Sequence, residues 1–183
     1  MKFPAILLVL IVIAAGCVQQ EIPVTEVSIP GHNEIYTFSN DLREVLPVAA
    51  SGQEEIRQQF LGGQMNFVFD GSSAQDNAYF TIVMTNIMAK LPIYLAYEGV
   101  VLKFQSYYFM EDVWFDRSGN EIEKPDLSGT TLWLKGPSTG AEGMSVNIIN
   151  NTIFVQGTSY KNLTLAGDKL TLVVMGIDSL PQP

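Results

Sequence analysis

Side chains that could do chemistry come in a few short clusters along this chain. Residues 136–143 read Gly136-Pro137-Ser138-Thr139-Gly140-Ala141-Glu142-Gly143 directly after a strand-like run, which is the setting of a phosphate-cradling loop. Such a loop needs a helix amino terminus behind it and usually a lysine on the ligand. Here it runs into Met144-Ser145-Val146-Asn147-Ile148-Ile149, which is β-like, and Glu142 would repel phosphate. It therefore reads as a surface loop, with Gly136, Pro137, Ser138, Thr139 and Gly140 as a candidate binding loop. Its glycines and polar residues offer nothing to bury, so it is expected to be the most mobile element, with Ser138 and Thr139 nearly free to vary.

Asp116-Arg117-Ser118-Gly119-Asn120 begins like a calcium loop, with oxygen side chains at alternate positions. Its glycine stands fourth rather than sixth and the twelfth residue is Leu127, so a hairpin tip fits better. The acidic pairs Glu54-Glu55 and Glu111-Asp112 contain the two carboxylates a glycosidase needs. Neither has an apolar setting that would separate two pKa values, so both read as solvated surface. Tyr107-Tyr108-Phe109 with Trp114-Phe115 is the densest aromatic patch, and it reads as strand core in preference to a sugar-stacking platform. The single histidine, His32, falls in a Pro- and Gly-containing stretch and reads as a surface residue. Asn150-Asn151-Thr152 and Asn162-Leu163-Thr164 are sequons; Asn162 also suits a helix N-cap, which makes Asn150 the better N-glycosylation candidate.

Composition narrows the field further. The 183 residues include 10 basic and 19 acidic side chains, a formal charge of −9, which argues against nucleic acid as a partner. One cysteine excludes an internal disulfide framework and a cysteine-rich zinc site, and one histidine argues against histidine metal sites and Ser-His-Asp chemistry. No metal or cofactor is expected. No nucleophile–base–orienter set stands out, so the chain reads as a non-enzyme.

The amino terminus carries the clearest address. Lys2 precedes an apolar run of 16 residues, from position 3 to 18, too short for a permanent span of about 20. Ala14-Ala15-Gly16-Cys17 resembles a lipobox, with the only cysteine where lipidation requires it. Residues 1–16 are then a signal peptide and 17–32 a lipid-anchored extended tether. Residues 33–183 form an exported domain at the outer face of the cytoplasmic membrane. An ordinary secretory signal or an uncleaved anchor is the alternative.

The elements that must position these side chains follow from periodicity. A strand is expected around Ile35, Tyr36, Thr37 and Phe38. Ser51 and Glu54 form a capping box for a helix stopped by Gly62-Gly63. Met65, Phe67 and Phe69 alternate as a strand, and Phe80, Val83, Met84, Ile87, Met88 and Leu91 draw a helical stripe ended by Pro92. Val100, Leu102 and Phe104 give another strand, and Val113-Trp114-Phe115 and Glu121-Ile122-Glu123 flank a hairpin. Residues 130–135 and 152–156 are β, and Leu163, Ala166, Leu170, Val173, Val174 and Ile177 form a closing helix. The sum is an α/β or α+β domain, a single two-layer unit with a mixed sheet and about three helices on it. Leu132, Leu134, Ile153 and Val155 should face Leu170, Val173 and Val174.

Two stretches resemble a group of uncharacterised archaeal envelope lipoproteins. One is Tyr36-Thr37-Phe38-Ser39-Asn40-Asp41-Leu42-Arg43-Glu44. The other runs from Leu134-Lys135-Gly136-Pro137 through Thr152-Ile153-Phe154-Val155-Gln156-Gly157 to Ala166-Gly167-Asp168-Lys169-Leu170. The second is also similar to the end of archaeal S-layer domains: a strand, a Gly-Pro loop, a strand ending in Gly, and a closing helix. The resemblance implies archaeal surface placement and an α/β fold and supplies no catalytic residue. The expected function is a non-catalytic structural or interaction module of the envelope, anchored to the membrane through Cys17 and meeting other envelope or S-layer proteins. A solute- or sugar-binding lipoprotein is the alternative, and a carboxylate-based hydrolase of envelope polymers a more distant one.

Overall fold

The computed structural model describes residues 23–180. In chain order the elements are β1 (Glu26–Ser28), β2 (Ile35–Thr37), α1 (Leu42–Val45), β3 (Ala49–Ala50), α2 (Gln53–Leu61), β4 (Gln64–Asp70), α3 (Ala74–Met88) and α4 (Leu91–Tyr97). They continue with β5 (Lys103–Met110), β6 (Val113–Phe115), β7 (Glu121–Ile122), β8 (Thr131–Lys135), β9 (Ser145–Ile149), β10 (Thr152–Gln156) and α5 (Tyr160–Met175). Eight strands form one mixed sheet in the order β3-β9-β10-β8-β4-β5-β6-β7, with β10, β8, β4 and β5 parallel. The mixed α/β expectation holds.

Alternation in the strands sorts side chains to two faces. Met65, Phe67, Phe69, Leu132, Leu134, Val146, Ile153 and Val155 enter one apolar core with the helices, Leu170, Val173 and Val174 among them, as the strand pattern predicts. α5 is buried at every residue from Leu165 to Met175, because it is enclosed by the sheet and by the other helices. Gly167 permits close contact with α3: a β-carbon there would lie 2.6 Å from Val83 Cγ1. Gly157 does the same at the β10–α5 turn, where a β-carbon would meet the Leu163 backbone nitrogen at 2.2 Å.

Several boundaries differ from the sequence reading. Ser51 caps nothing: Gly52, at φ 68°, precedes α2, and the Ser51 amide pairs with the Val146 carbonyl. Ser73 caps α3, receiving the Asp76 amide at 3.1 Å, so this helix starts well before the apolar stripe. Pro92 opens a new helix, α4, since a proline in the first turn lacks only an N–H that would have no partner. β5 begins at Lys103, not at Val100, and Val101 is 75% exposed. Ser159, not Asn162, caps α5.

Part of the expected tether is folded. β1 pairs antiparallel with β2, and Val27 is buried in the core, so the domain extends upstream of residue 33. The reason is polar groups on the outer side of α5. Asp168 Oδ2 accepts from Asn40 N at 3.2 Å and Asn40 Nδ2 at 2.8 Å, and Lys169 Nζ donates to the Leu46 carbonyl at 2.7 Å. The 23–48 segment satisfies buried charges that would otherwise be costly. Cys17 and residues 1–22 lie outside the described residues.

Candidate functional site

One face of the sheet has no helix among the described residues; this helix-free face carries the other half of each strand: Asn66, Val68 and Asp70 on β4, Gln105, Tyr107 and Phe109 on β5, Trp133 and Lys135 on β8, Asn147 and Ile149 on β9, and Phe154 on β10. The aromatic patch expected at 107–115 is thereby divided. Tyr108 stacks on Phe69, on the helix side, at 5.1 Å between centroids. Phe109 and Trp114, at 4.8 Å, turn the other way. Trp133 joins them edge-on at 6.0 and 5.9 Å, and Phe154 extends the row at 6.2 Å from Trp133. Trp133 and Phe154 are not sequence neighbours of the patch; parallel pairing of β8 with β4 and β10 brings them in.

Polar groups frame the row. Trp133 Nε1 donates to Asp70 Oδ2 at 2.9 Å, and Lys135 Nζ stands 5.5 Å from the centroid of the Phe154 ring. Burial pushes the Asp70 carboxyl up, partly offset by the Trp133 hydrogen bond and the Lys135 charge. Asn147 Oδ1 is buried with no hydrogen-bond partner among the described residues, in register with Phe154. Ile149, at the end of the same strand, is 57% exposed.

A strap crosses this face. β7 lies parallel to β8 but at the sheet edge, and residues 123–130 return the chain to the middle. A right-handed crossover in that direction passes over the side without helices. Pro125 and Leu127 are half-buried along it, and Gly129 abuts the Asn66 side chain. Val68 and Trp114 are buried on this face, and Phe109 and Trp133 pack against Trp114 there.

The 136–143 loop is pinned, contrary to its expected mobility. Asp76, buried in the first turn of α3, accepts from Ser73 Oγ at 3.0 Å, Ser72 N at 3.2 Å, Tyr160 OH at 3.1 Å and the Ser138 hydroxyl. Burial alone would raise its pKa; these donors more than offset that and hold it below the usual carboxylate range. Gly136 N donates to Thr139 Oγ1 at 3.0 Å, and Tyr79 stacks on Tyr160 at 4.0 Å. Pro137–Thr139 is a short 3-10 turn rather than open loop, and Gly140 follows at φ 74°. With its oxygens engaged by four protein donors, Asp76 works as a clamp between α3, the loop and α5.

The other candidates resolve into local structure. The Asp116 carboxylate accepts from Ser118 N, Asn120 N and Asn120 Nδ2 at 2.8, 2.9 and 3.0 Å, so the hairpin tip uses it fully. Glu111 and Asp112, at φ 50° and 64°, are the two-residue turn between β5 and β6, and Glu54 and Glu55 lie exposed in the first turn of α2. Each pair is contiguous on a turn or a helix start, so neither spans a cleft. Asn150 and Asn151, at φ 48° and 63°, are the β9–β10 turn, where Asn150 is exposed. Asn162 is half-buried and donates through Nδ2 to Thr158 Oγ1 at 3.1 Å.

His32 is a correction. It is half-buried in the β1–β2 loop, stacked 4.2 Å from Tyr97 and 5.3 Å from Tyr94, with Nδ1 2.7 Å from Tyr36 OH. Burial, then Glu34 and the neighbouring Tyr97 and Tyr94, push Tyr36 up to about 12. This cluster fastens the β1–β2 hairpin to α4. Comparison of the chain with protein-family models, with curated proteins and with solved structures finds no match.

Proposed function

We propose that this chain is a membrane-anchored extracytoplasmic lipoprotein of an archaeal cell envelope, a non-catalytic interaction module held through Cys17. Its docking surface is the part of the helix-free face formed by β8, β10 and β9. One observation carries this reading: Trp133, Phe154 and the exposed Ile149 lie together there, with a buried acceptor on Asn147 that no protein donor meets. An apolar patch rimmed by polar groups is the usual form of a protein contact. The sheet edges offer less, since β3 and β7 have two residues each and present little free backbone for strand addition. The export-type amino terminus and the lone Cys17 supply the address, and the likeness to envelope lipoproteins agrees with it.

The test is fractionation followed by rebinding. Cys17→Ser should release the protein from membranes without detergent, and the released form should sediment with isolated envelope sheets. Adding Ile149→Glu and Phe154→Glu should weaken that sedimentation at least tenfold, about 1.4 kcal/mol, while leaving the circular dichroism spectrum unchanged. Membrane retention of Cys17→Ser, or rebinding indifferent to both glutamates, would overturn the proposal.

A further inference from the structure

At the amino-terminal ends of β4 and β5 lies a cleft of about 410 Å³, lined by Gln64, Asn66, Lys103, Gln105 and Thr130, with Phe104 beside them. That volume falls within the range of about 300–1,000 Å³ typical of small-molecule sites. The strand register builds its floor. Gln64 pairs with Lys103 and Asn66 with Gln105, so four polar side chains form a square on the helix-free face. Tyr107 OH donates to Gln105 Oε1 at 2.6 Å, which fixes that amide and leaves its NH₂ to donate elsewhere. Neither the Gln64 nor the Asn66 side chain has a hydrogen-bond partner among the described residues. The Thr130 hydroxyl is held by Gln59, and the Thr130 carbonyl accepts from Asn66 N at 2.8 Å, which fixes the cleft wall.

The chemistry of this lining is narrow. A planar amide presents a donor and an acceptor side by side, which matches adjacent hydroxyls on a sugar ring. Phe104, between Lys103 and Gln105 on β5, turns to the opposite face and packs on Phe67 at 4.9 Å, so recognition in the cleft falls to the amides and Lys103 and not to a stacking ring. Lys103 is the one charge among the lining residues, and no carboxylate lines the cleft, although acidic side chains in the chain outnumber basic ones 19 to 10. A single cation among amides favours one carboxylate on a hydroxyl-rich ligand. A polyphosphate would need more positive charge or a helix amino terminus, and an apolar ligand would leave the amides unpaired.

We propose that this cleft binds an acidic saccharide unit, a pyranose carrying a carboxylate, with Lys103 on the carboxylate and Gln64, Asn66 and Gln105 on the hydroxyls. The site shares no residue with the docking surface formed by Trp133, Phe154 and Ile149, so the two proposals stand or fall separately. The experiment is calorimetric titration of the full chain in detergent with digalacturonate and with lactose, a neutral disaccharide of similar size. Saturable binding of digalacturonate is expected, with lactose about tenfold weaker, the difference one charge-assisted hydrogen bond of about 1.4 kcal/mol makes. Lys103→Gln should erase the preference, and Gln64→Ala with Gln105→Ala should weaken both ligands at least tenfold. Phe154→Glu should leave both affinities unchanged. The thermal transition of each variant checks folding, and Gln64→Ala alone serves should the double variant fail to fold. Absence of saturation with digalacturonate would overturn the proposal. So would a preference that survives Lys103→Gln, or affinities that move with Phe154 and not with the cleft.

Discussion

On one side of the central sheet Met65, Phe67, Leu132, Leu134, Ile153 and Val155 meet helices; on the other Asn66, Val68, Trp133, Lys135 and Phe154 meet none. The helix side is mostly aliphatic, and its buried charges are answered by protein groups, two of them from the 23–48 segment. Asp168 accepts from Asn40, Lys169 donates to Leu46, and Lys90 donates to the Asn86 carbonyl at 2.8 Å. The helix-free side mixes rings with amides; among the described residues it leaves Asn147 Oδ1 unmet, as the helices leave Asn77 Oδ1 and Arg57 Nε. The two faces differ in cover: helices close one, while the other keeps side chains such as Ile149 and Gln105 exposed. That contrast is the ground for the proposal that function lies on the helix-free side.

The largest blow to the contrast comes from the helix side. Leu170→Ala, at a fully buried position, should cost about 2–5 kcal/mol. Calorimetry should read this as a fall in Tm of roughly 2–4 °C per kcal/mol for a domain of this size. Asp168→Ala should cost about 1–3 kcal/mol, because both Asn40 donors lose their acceptor.

The same carboxyl gives a pH signature. Burial raises the pKa of Asp168 above the reference 3.8, and the Asn40 donors and the Lys90 charge only partly oppose this. The folded state therefore holds its proton more tightly than the unfolded chain. Stability from this group falls as pH rises from about 4 through the raised value, and is level above it. Asp168→Asn should remove that part of the slope in urea midpoints measured across the same range; an unchanged slope would place its origin elsewhere.

Ser138→Ala tests the Asp76 clamp between α3, the 136–143 loop and α5. Removing one of the four donors to Asp76 should cost about 1–2 kcal/mol, measured by urea denaturation, whereas a free loop would show no loss. On the helix-free side Phe154→Ala should cost only about 1 kcal/mol, since the ring is half-buried. Lys103→Gln, at an exposed position, should stay within about 0.5 kcal/mol of the parent. If Phe154→Ala proved as costly as Leu170→Ala, both faces would be core and the contrast would collapse.

Much of the helix side was legible in the strand and helix patterns. Alternation in 65–69 and 132–134 and the stripe from Phe80 to Leu91 each identify an inward face, because burial imposes one period on one chain segment. Boundaries were less legible. Ser51 and Asn162 both have cap chemistry, yet Gly52 holds the N-cap position of α2 and Ser159 that of α5, since a cap is decided by where the preceding strand delivers the backbone. His32 looked like part of a tether because stacking on Tyr94 and Tyr97 joins residues far apart in the chain.

The chain's own letters determined which residues turn together and which turn apart: Phe109 could not share a face with Tyr108, nor Leu134 with Trp133, because a strand alternates. They also determined the acidic balance and the apolar amino-terminal run that contains Cys17. Strand order was decided only in three dimensions. Residues 131–135 insert between β4 and β10, and this alone brings Trp133 beside Asp70 and Phe109 and places Thr130 at the cleft. Which strands become neighbours depends on where α5 can bury every side at once. That is a property of the whole packed chain, set by summed apolar area rather than by any local pattern.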